Sequence, residues 1–380
     1  MDHTTAKQLL VDGGTFVALD VPEGTEFGID MKMWNTGENF RGVKMIPPGI
    51  HFIHYSAVGK YGEVAPKVGF FYNFRKSEFV LKKWDKELQD ISMKPSNEDE
   101  VVSLKDNIVA LDKFLGPYPY DIWKKWISLT SHITENLIKK LSPESGQIRS
   151  ALDLESCTDA DRPRKSNVSQ EESSSSSSKR RSRASTSEEL EDNLLPNLKP
   201  FPGTELRLTP FPKCHYPEGS TPSEITRHSL DSSYVLETIV AQHSSETDVI
   251  GELQFSYICF LVGQSLDAFE HWKKLVSLIC SCETAIKRYR ALYDLFIPTL
   301  EAQILETPED FLADIVSNNN IIYVKLRHLF RTVSGSDIDG RLKTKIERFK
   351  RNLTSRYEWD FSHLDSEDED EAPVIVEISQ

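Results

Sequence analysis

A long segment without periodicity constrains this chain more than any other feature. From about Ser150 to Leu198 neither the helical nor the strand period is present. Six consecutive serines, Ser173–Ser178, are followed by the basic run Lys179–Arg183 and then by the acidic run Glu188–Asp192. A segment of this composition cannot bury enough apolar surface to offset the entropy of ordering it. The sequence therefore predicts two folded parts joined by a disordered linker.

The predicted fold class is α+β. We expect a β-rich, sandwich-like N-terminal domain that ends in two helices, a Ser-rich linker, an α-helical domain, and an acidic tail that carries a terminal β-strand. The boundaries are 1–150, 151–199, 200–362 and 363–380 respectively.

The N-terminal part has the pattern of short strands. Runs rich in β-branched and aromatic residues alternate with turn signals that contain Gly and Pro, which is typical of a small sandwich or barrel. The predicted strands are Thr15–Leu19, Glu26–Ile29, Ile50–Ala57, Val68–Phe74 and Glu78–Trp84.

The period then changes to that of a helix. An acidic start at Asn97–Glu100 suits a helix N-terminus, and apolar residues follow at helical spacing as far as Leu115. Gly116–Pro119 ends that helix, and a second helix is predicted from about Tyr120 to Leu141.

The part after the linker is predicted to be helical, apart from a short strand at Glu205–Leu208. The segment Val249–Val262 is apolar nearly all round, so it should form the central helix. Pro298 should kink or break its helix. Together the helices predict a bundle or a short right-handed superhelix. They are Ser229–Gln242, Val249–Val262, Ser265–Arg290, Leu292–Leu305, Pro308–Val316, Ile321–Val333 and Leu342–Phe361.

Bulk properties exclude several classes of protein. The net charge of −14 argues against broad non-specific binding to nucleic acid. The apolar run Tyr257–Val262 is too short to span a membrane, and the N-terminus lacks a signal peptide, so we expect a soluble intracellular protein. Among five scattered cysteines, Cys280 and Cys282 are interpreted as two separate buried or half-buried thiols, because i,i+2 neighbours on a helix do not face each other.

No pattern in the sequence predicts catalysis, a metal or a cofactor. His51 and His54 should lie on opposite faces of a strand and so cannot share an ion. The adjacent pair Cys214 and His215 is a poor nucleophile and base. Two carboxylates, Glu26 and Asp30, are expected to be solvated at the edge of a strand. Asp337–Gly340 is interpreted as a polar turn, since a calcium loop in that register would lack its ligands. We therefore predict that the protein is not an enzyme.

The last predicted helix is strongly basic. Its apolar stripe is formed by Leu342, Ile346, Phe349, Leu353 and Tyr357. The plain interpretation is a surface helix with a solvated charged face. The alternatives are a contact with RNA or a phosphoprotein, or an internal clamp for the acidic run that follows. The basic residues are Arg341, Lys343, Lys345, Arg348, Lys350, Arg351 and Arg356.

The C-terminal residues have the pattern of a lone β-strand on an acidic tether. Six of the seven residues in Asp365–Glu371 are acidic, so this run should stay extended by self-repulsion. After it, alternate residues of the strand fall on opposite faces. Such a strand needs a sheet edge, which belongs either to this protein or to a partner. The predicted partner-binding residues are Pro373, Val374, Ile375, Val376, Glu377 and Ile378.

The linker carries candidate regulatory sites. Two basic clusters, Arg162–Lys165 and Lys179–Arg183, are spaced as in nuclear-import signals. A solvated low-complexity spacer explains the same composition equally well. The candidate phosphorylation sites, including one in the acidic run, are Ser169, Ser182, Ser185 and Ser366.

Several motifs together resemble the Aar-two family of splicing factors. The longest and most specific is Phe40–Ser56. The linker departs from the family in length and serine content. The other motifs are Gly24–Asp30, Phe114–Tyr120, Trp126–Thr130, Gly251–Phe255, Ala268–Lys273 and the tail Ala372–Glu377.

The resemblance implies a VHS-like helical domain and a chaperone-like role in assembly of the U-five small nuclear ribonucleoprotein (snRNP). The implied partner is Prp-eight, the large central spliceosomal scaffold protein, bound through its RNase-H-like and Jab/MPN domains. The tail would complete a sheet across those two domains and delay binding of the large helicase, and phosphorylation would trigger release. The resemblance also implies a monomer present in nucleus and cytoplasm. Contact with RNA is left open.

Two other interpretations compete with this one. A VHS-type adaptor in membrane traffic is suggested by a helical domain behind a linker. A hydrolase in the β-rich domain would require a pocket with convergent titratable groups.

Overall fold

The computed structural model describes most of the chain outside the linker and the tail. The described residues are 2–158, 196–308, 321–335, 338, 340–362 and 364. They form a β-rich N-terminal region followed by a helical region, which confirms the predicted α+β class.

The N-terminal region begins with a helix that the sequence did not predict, α1 (His3–Asp12). The Asp2 carboxylate caps it by accepting from the N–H groups of Thr4 and Thr5. Ten strands follow within this region. They are β1 (Gly14–Leu19), β2 (Glu26–Ile29), β3 (Lys32–Asn35), β4 (Gly42–Ile46), β5 (Gly49–Ser56), β6 (Val68–Phe74), β7 (Phe79–Asp85), β8 (Asp90–Ile91), β9 (Leu115–Pro117) and β10 (Ile148–Arg149).

These strands form two five-stranded sheets. The first has the order β8-β7-β1-β4-β9 and the second β10-β6-β5-β2-β3. Phe16 on β1 and Phe27 on β2 meet between them with ring centroids 6.1 Å apart. All five predicted strands are present, and the two sheets share one core, as a sandwich-like arrangement requires.

Strand β4 was missed because its sequence interrupts the alternating pattern. Met45 has a φ of 60°, and the pairing of β4 with β1 shifts register between Gly14 and Phe16. At Gly42, with a φ of 140°, a Cβ atom would collide with the carbonyl oxygen of Phe16. A bulge of this kind hides a strand from a period-2 search.

The two predicted helices of the N-terminal region are each divided into shorter ones. The first consists of α2 (Glu98–Asp106), α3 (Ile108–Leu111) and a 3-10 turn at Asp112–Phe114, and the chain then enters β9 at Leu115. The second is divided into α4 (Trp123–Thr130) and α5 (Glu135–Leu141), because the Thr134 hydroxyl caps a new helix by accepting from the N–H of Leu137.

The helical region contains eight described helices. Two predicted helices are each divided in two: Ser229–Gln242 near Asp231, and Ser265–Arg290 between Cys280 and Ala285. Pro298, predicted to kink or break its helix, lies inside a helix without ending it. The helices are α6 (Pro222–Leu230), α7 (Ser233–Val240), α8 (Asp248–Leu261), α9 (Leu266–Cys280), α10 (Ala285–Arg288), α11 (Arg290–Glu306), α12 (Ile321–Gly335) and α13 (Gly340–Tyr357). The predicted helix at Pro308–Val316 lies almost wholly outside the described residues.

Helix α8 is the central helix, as predicted. Every residue from Val249 to Phe260 is buried, although Glu252, Gln254 and Ser256 are polar. The prediction of a strand at Glu205–Leu208 is wrong, since that segment has no strand pairing.

The ends of the linker lie side by side. Strand β11 (Leu154–Ser156) pairs antiparallel with β12 (Leu198–Pro200), and the Cys157 N–H donates to the Asn197 carbonyl at 3.0 Å. The two ends of the linker are thus hydrogen-bonded to each other in a two-stranded ribbon. The length of the linker therefore does not set the distance between the two regions.

Candidate partner-binding surface

The two regions are held together by a shared hydrophobic core. On β5 and β6, Ile53 and Phe70 face the sandwich core, whereas their neighbours Phe52 and Phe71 face the helices. Burial on both faces explains why these strands are apolar along most of their length. The helical region therefore packs on the face of the second sheet that points away from the sandwich core.

The motif Gly251–Phe255 forms the centre of this contact. The Phe255 ring stacks on Phe71 with centroids 5.0 Å apart. Gln254 accepts from the His132 N–H at 2.7 Å. A Cβ atom on Gly251 would collide with the His132 carbonyl oxygen and the Leu137 side chain, so only glycine permits this approach of α8 to α5. The motif thus has a structural role: it joins the two regions.

Helix α4 lies on the same boundary. The Trp126 indole N–H donates to the Ile50 carbonyl at 2.7 Å, which attaches α4 to the second sheet. On its other side Lys125 pairs with Glu306 of α11 at 2.9 Å. Contacts on both sides of α4 hold the helical region in place relative to the sheets. The two regions therefore present one rigid surface to a partner.

A buried polar cluster corrects the expectation that Asp30 is solvated. Its carboxylate is fully buried and accepts hydrogen bonds from His51 Nδ1 at 2.7 Å, Tyr118 Oη at 2.6 Å and the Phe52 N–H at 2.9 Å. Burial, followed by the neighbouring Asp30 charge, raises the pKa of Tyr118. The cluster is satisfied internally and closed to solvent, which suits a structural role.

His54 is also buried and lies close to the same aspartate. Its Nε2 is 3.0 Å from the Asp30 carbonyl oxygen, and Nδ1 has no hydrogen-bond partner among the described residues. Burial, with a smaller contribution from Lys67, lowers the pKa of His54 to about 3. The imidazole is therefore neutral throughout the physiological range.

A second buried cluster lies within the helical region, around Glu252. Its carboxylate accepts from His243 Nε2 at 2.7 Å, from His271 Nε2 at 2.9 Å, and from the N–H and hydroxyl of Thr209, each at 2.7 Å. Burial alone would raise the pKa of Glu252, but the hydrogen bonds from the two histidines and from Thr209 outweigh it and lower the pKa. These bonds attach the loop before α6 to the central helix.

The remaining candidates for chemistry do not converge. Cys280 and Cys282 are buried free thiols, as predicted, whereas Cys214 is exposed on a loop. Within the described ranges no group of three or more His, Cys, Asp or Glu side chains is placed to hold a metal ion. No helix there combines the length and the apolarity that crossing a bilayer requires.

The C-terminal end of the described chain is fixed to α12. The predicted helix Leu342–Phe361 ends early, at Tyr357, because Glu358 with a φ of 58° reverses the chain. Trp359 then stacks on Tyr357 at 5.2 Å, and Phe361 is buried against Phe330 at 4.8 Å. The returning segment is thus packed as part of the helical core.

Arginine side chains bind the backbone of this segment. Arg327 Nη1 donates to the carbonyl oxygens of Asp360 at 3.3 Å and Ser362 at 3.4 Å. Arg331 Nε donates to the Leu364 carbonyl at 2.7 Å. The tail therefore departs from a defined point on the surface of α12.

Helix α13 has the predicted amphipathic character. Leu342, Ile346, Phe349 and Leu353 are buried, while most of the basic side chains are exposed. Lys345 pairs with Asp294 of α11 at 2.6 Å. Helices α12 and α13 pack on each other through Phe330 and Phe349, with ring centroids 6.1 Å apart. We call the flanks that carry Arg327 and Arg331 on α12, and Lys343 and Lys350 on α13, the exit seam.

Every residue predicted to bind a partner or to be phosphorylated lies outside the described residues. Those predictions stand as made. They are Pro373, Val374, Ile375, Val376, Glu377 and Ile378 for binding, and Ser169, Ser182, Ser185 and Ser366 for phosphorylation. What sequence reasoning missed is the set of contacts that fixes where the tail begins.

Comparison with known proteins identifies the family. Residues 12–143 match the model of the AAR2 N-terminal domain, and residues 208–362 match that of the AAR2 C-terminal repeat region. Proteins named "Protein AAR2 homolog" from Homo sapiens and Mus musculus are each 42% identical to all of this chain, over 97% of their own length. The Caenorhabditis elegans protein of that name is 32% identical over 92% of this chain and 95% of its own length. Matches to both halves and along the full length show that the chain belongs to the AAR2 family, the Aar-two family that its motifs resemble.

Proposed function

We propose that this protein is a splicing factor that assists assembly of the U-five snRNP without catalysing a reaction. It binds Prp-eight, the large spliceosomal scaffold protein, through the RNase-H-like and Jab/MPN domains of that partner. Support comes from membership in the AAR2 family, together with the splicing role implied by the resemblance. The adaptor interpretation rests only on a helical domain behind a linker, and the family match gives it no support.

The terminal strand provides the main contact. Val374, Val376 and Ile378 face one side of the strand, and Ile375 and Glu377 face the other. Backbone hydrogen bonds to a sheet edge supply affinity, and the alternating side chains set the register. The bound strand occupies the site that the large helicase uses later, which delays helicase binding.

The observation that carries this proposal is the anchored start of the tail. Arg331 holds the Leu364 backbone on the helical scaffold. Pro373 follows within a distance of about 30 Å even when the chain is fully extended. The strand is therefore presented near a rigid surface, so a partner can engage the scaffold and the strand together with less loss of entropy.

The alternative destination for the strand is this protein's own sheet edge. Strand β3 (Lys32–Asn35) is the outermost strand of the second sheet, and Met33 on it is 45% exposed. An exposed edge of this kind can accept a further strand. Hydrogen exchange of the β3 amides in the full chain and in a chain ending at Glu371 distinguishes the two destinations. Faster exchange of the β3 amides in the truncated chain would show that the terminal strand pairs with β3 of its own chain.

Binding to purified RNase-H-like and Jab/MPN domains of the partner tests the proposal directly. Truncation after Glu371 should weaken binding by about tenfold or more, since each factor of ten corresponds to only about 1.4 kcal/mol. Val376→Pro, which removes a backbone donor inside the strand, should approach the truncation. Ser379→Pro, beyond the predicted contact, is the matched control. Equal affinity of all four proteins would refute the role of the strand.

Control by phosphorylation is the second element of the proposal. Added negative charge next to an acidic segment increases like-charge repulsion and loosens the complex. Glutamate substitutions at Ser366, Ser182, Ser185 and Ser169 should each be compared with the matching alanine substitution in the binding assay. Unchanged affinity in every glutamate variant would show that phosphorylation at these sites does not control binding of the partner.

A further inference from the structure

We infer that in the free protein the acidic run Asp365–Glu371 binds in cis along the exit seam. This inference concerns the protein without its partner, so it does not depend on the proposed function. It selects one of the interpretations that the sequence left open for the basic helix, the internal clamp.

The direction in which the chain leaves its anchor supports this placement. Arg327 and Arg331 lie one helical turn apart on α12, and they bind the carbonyl oxygens of Ser362 and Leu364 in that order. The backbone therefore advances toward the C-terminal end of α12. Helix α13 begins a few residues after α12 ends, so that end lies close to the N-terminal half of α13.

The flank of α13 that faces the returning chain carries lysines. Lys343 and Lys350 are seven residues apart, so they occupy the same flank two turns from each other. Tyr357, a further seven residues on, lies on this flank as well, and Trp359 of the returning chain stacks on it. The acidic run thus starts beside Arg331 and heads toward Lys343.

The two lysines are available for such a contact. In the described part of the chain neither Lys343 nor Lys350 has a carboxylate oxygen within 4 Å, whereas Lys345 on the opposite flank is paired with Asp294. Lys343 is exposed and Lys350 is half-buried. Basic side chains without acidic partners and an acidic segment leaving beside them are complementary in charge.

Direct attachment to the anchored Leu364 allows the acidic run to bind the lysines even though each charge interaction is weak. Each exposed ion pair contributes little to the free energy and is screened by salt. Because Asp365 directly follows the anchored Leu364, however, the acidic run is held near the lysines at an effective concentration in the millimolar range. An intrinsic dissociation constant of about 1 mM then leaves the acidic run bound about half of the time. The contact is expected to be dynamic and sensitive to salt.

A neighbouring surface groove of about 1020 Å³ is a less suitable site. Arg227 and Arg331 line it, but so do Glu224, Glu237 and Glu283. An acidic segment would meet several like charges there. On the lysine flank of α13 the acidic residue between Lys343 and Lys350 is Glu347. The exit seam is therefore the better match.

Cleavage of the full chain by a glutamate-specific protease measures whether the acidic run is bound. Cleavage of a transiently released segment follows the population of the released form. The double substitution Lys343→Gln and Lys350→Gln should raise the rate of cleavage at Glu367, Glu369 and Glu371 by about twofold, as expected when a half-bound segment is freed. Replacing both lysines by Arg, which keeps the charge, should leave the rate unchanged. Gln at the exposed residues Lys7 and Lys60 is the control for net charge.

Carbodiimide crosslinking of the unmodified full chain provides a readout without substitutions. This reagent joins a carboxylate to a lysine amine only when the two are in contact. Mass spectrometry should find the acidic run linked to Lys343 or Lys350 at low salt and show much less of this product at high salt. Equal cleavage of all variants, or crosslinks from the acidic run only to lysines elsewhere, would overturn the inference.

Discussion

The ring of Phe71 lies stacked on the ring of Phe255, with an angle of 28° between the planes. One residue belongs to the second sheet and the other to the central helix of the other region. Because both are buried in one continuous core, we expect the β-rich and helical regions to unfold in a single cooperative transition.

Truncating either ring should destabilise both regions together. Phe71→Ala and Phe255→Ala should each lower the free energy of unfolding by about 3–5 kcal/mol, through lost burial and the cavity left behind. The double variant should lose less than the sum, by about 1 kcal/mol, because the two rings contact each other. Urea unfolding followed by far-ultraviolet circular dichroism and by tryptophan fluorescence measures these effects. Phe201→Ala, at a side chain that is 53% exposed, is the control. Two separate transitions in the unsubstituted protein would contradict the shared core.

The loop between β11 and β12 should be replaceable by a tight turn. Since the Cys157 N–H already bonds to Asn197, an Asn-Gly turn in place of residues 158–196 spans the remaining gap. Each halving of loop length lowers the entropic cost of closure by about 0.6 kcal/mol, so shortening the loop to two residues should raise stability by about 2.5 kcal/mol. Thermal unfolding tests this expectation. A substantial loss of stability would mean that the loop contributes contacts to the fold.

Stability should fall between pH 6.5 and 5 partly because of His54. In the unfolded chain its pKa is about 6.5. In the folded protein burial lowers it to about 3, so the unfolded state binds the proton first as the pH falls. This contribution is fully present above pH 6.5 and decreases at up to about 1.4 kcal/mol per pH unit below that value.

The variant His54→Gln isolates this effect. The glutamine amide can still donate to the Asp30 carbonyl, but it does not titrate. The substitution should lower stability at pH 7.5, and its loss between pH 6.5 and 5 should be about 2 kcal/mol smaller than that of the unsubstituted protein. Urea unfolding at several pH values gives the comparison. Parallel pH profiles would show that the pKa of His54 is the same in the folded and unfolded states.

The cysteines should differ strongly in how fast they react with a disulfide reagent. Burial raises the pKa of Cys282 to about 12, and it also raises the pKa values of Cys259 and Cys280. Reaction with a disulfide reagent at pH 8 should therefore be fast at the exposed Cys214 and slow at these three, which react only after the protein unfolds. Rapid reaction of all five thiols under native conditions would contradict the described core.

The elements that the sequence predicts correctly are those whose pattern is local. Glu26–Ile29 is a strand with the predicted bounds, and the central helix differs by one residue at each end. The apolar stripe of α13 is likewise apparent from spacing alone, since a buried helix face repeats every three or four residues.

The errors arise where distant residues decide the outcome. Asp30 lacks any local sign of burial, because its partners His51 and Tyr118 lie 21 and 88 residues away in the sequence. The end of α13 was placed too late because Trp359 and Phe361 continue the apolar pattern, although they pack on the helix after the chain reverses. Periodicity cannot distinguish a longer helix from a chain that folds back on itself.

The ribbon of β11 and β12 has a consequence for engineering and for evolution. Because its two ends are paired in a ribbon, the segment between them can change in length or composition without altering the geometry of the two folded regions. A guest domain with adjacent termini, such as a fluorescent reporter, should be accepted at this position while the host remains folded. The same tolerance leaves natural selection free to rewrite this stretch independently of everything around it.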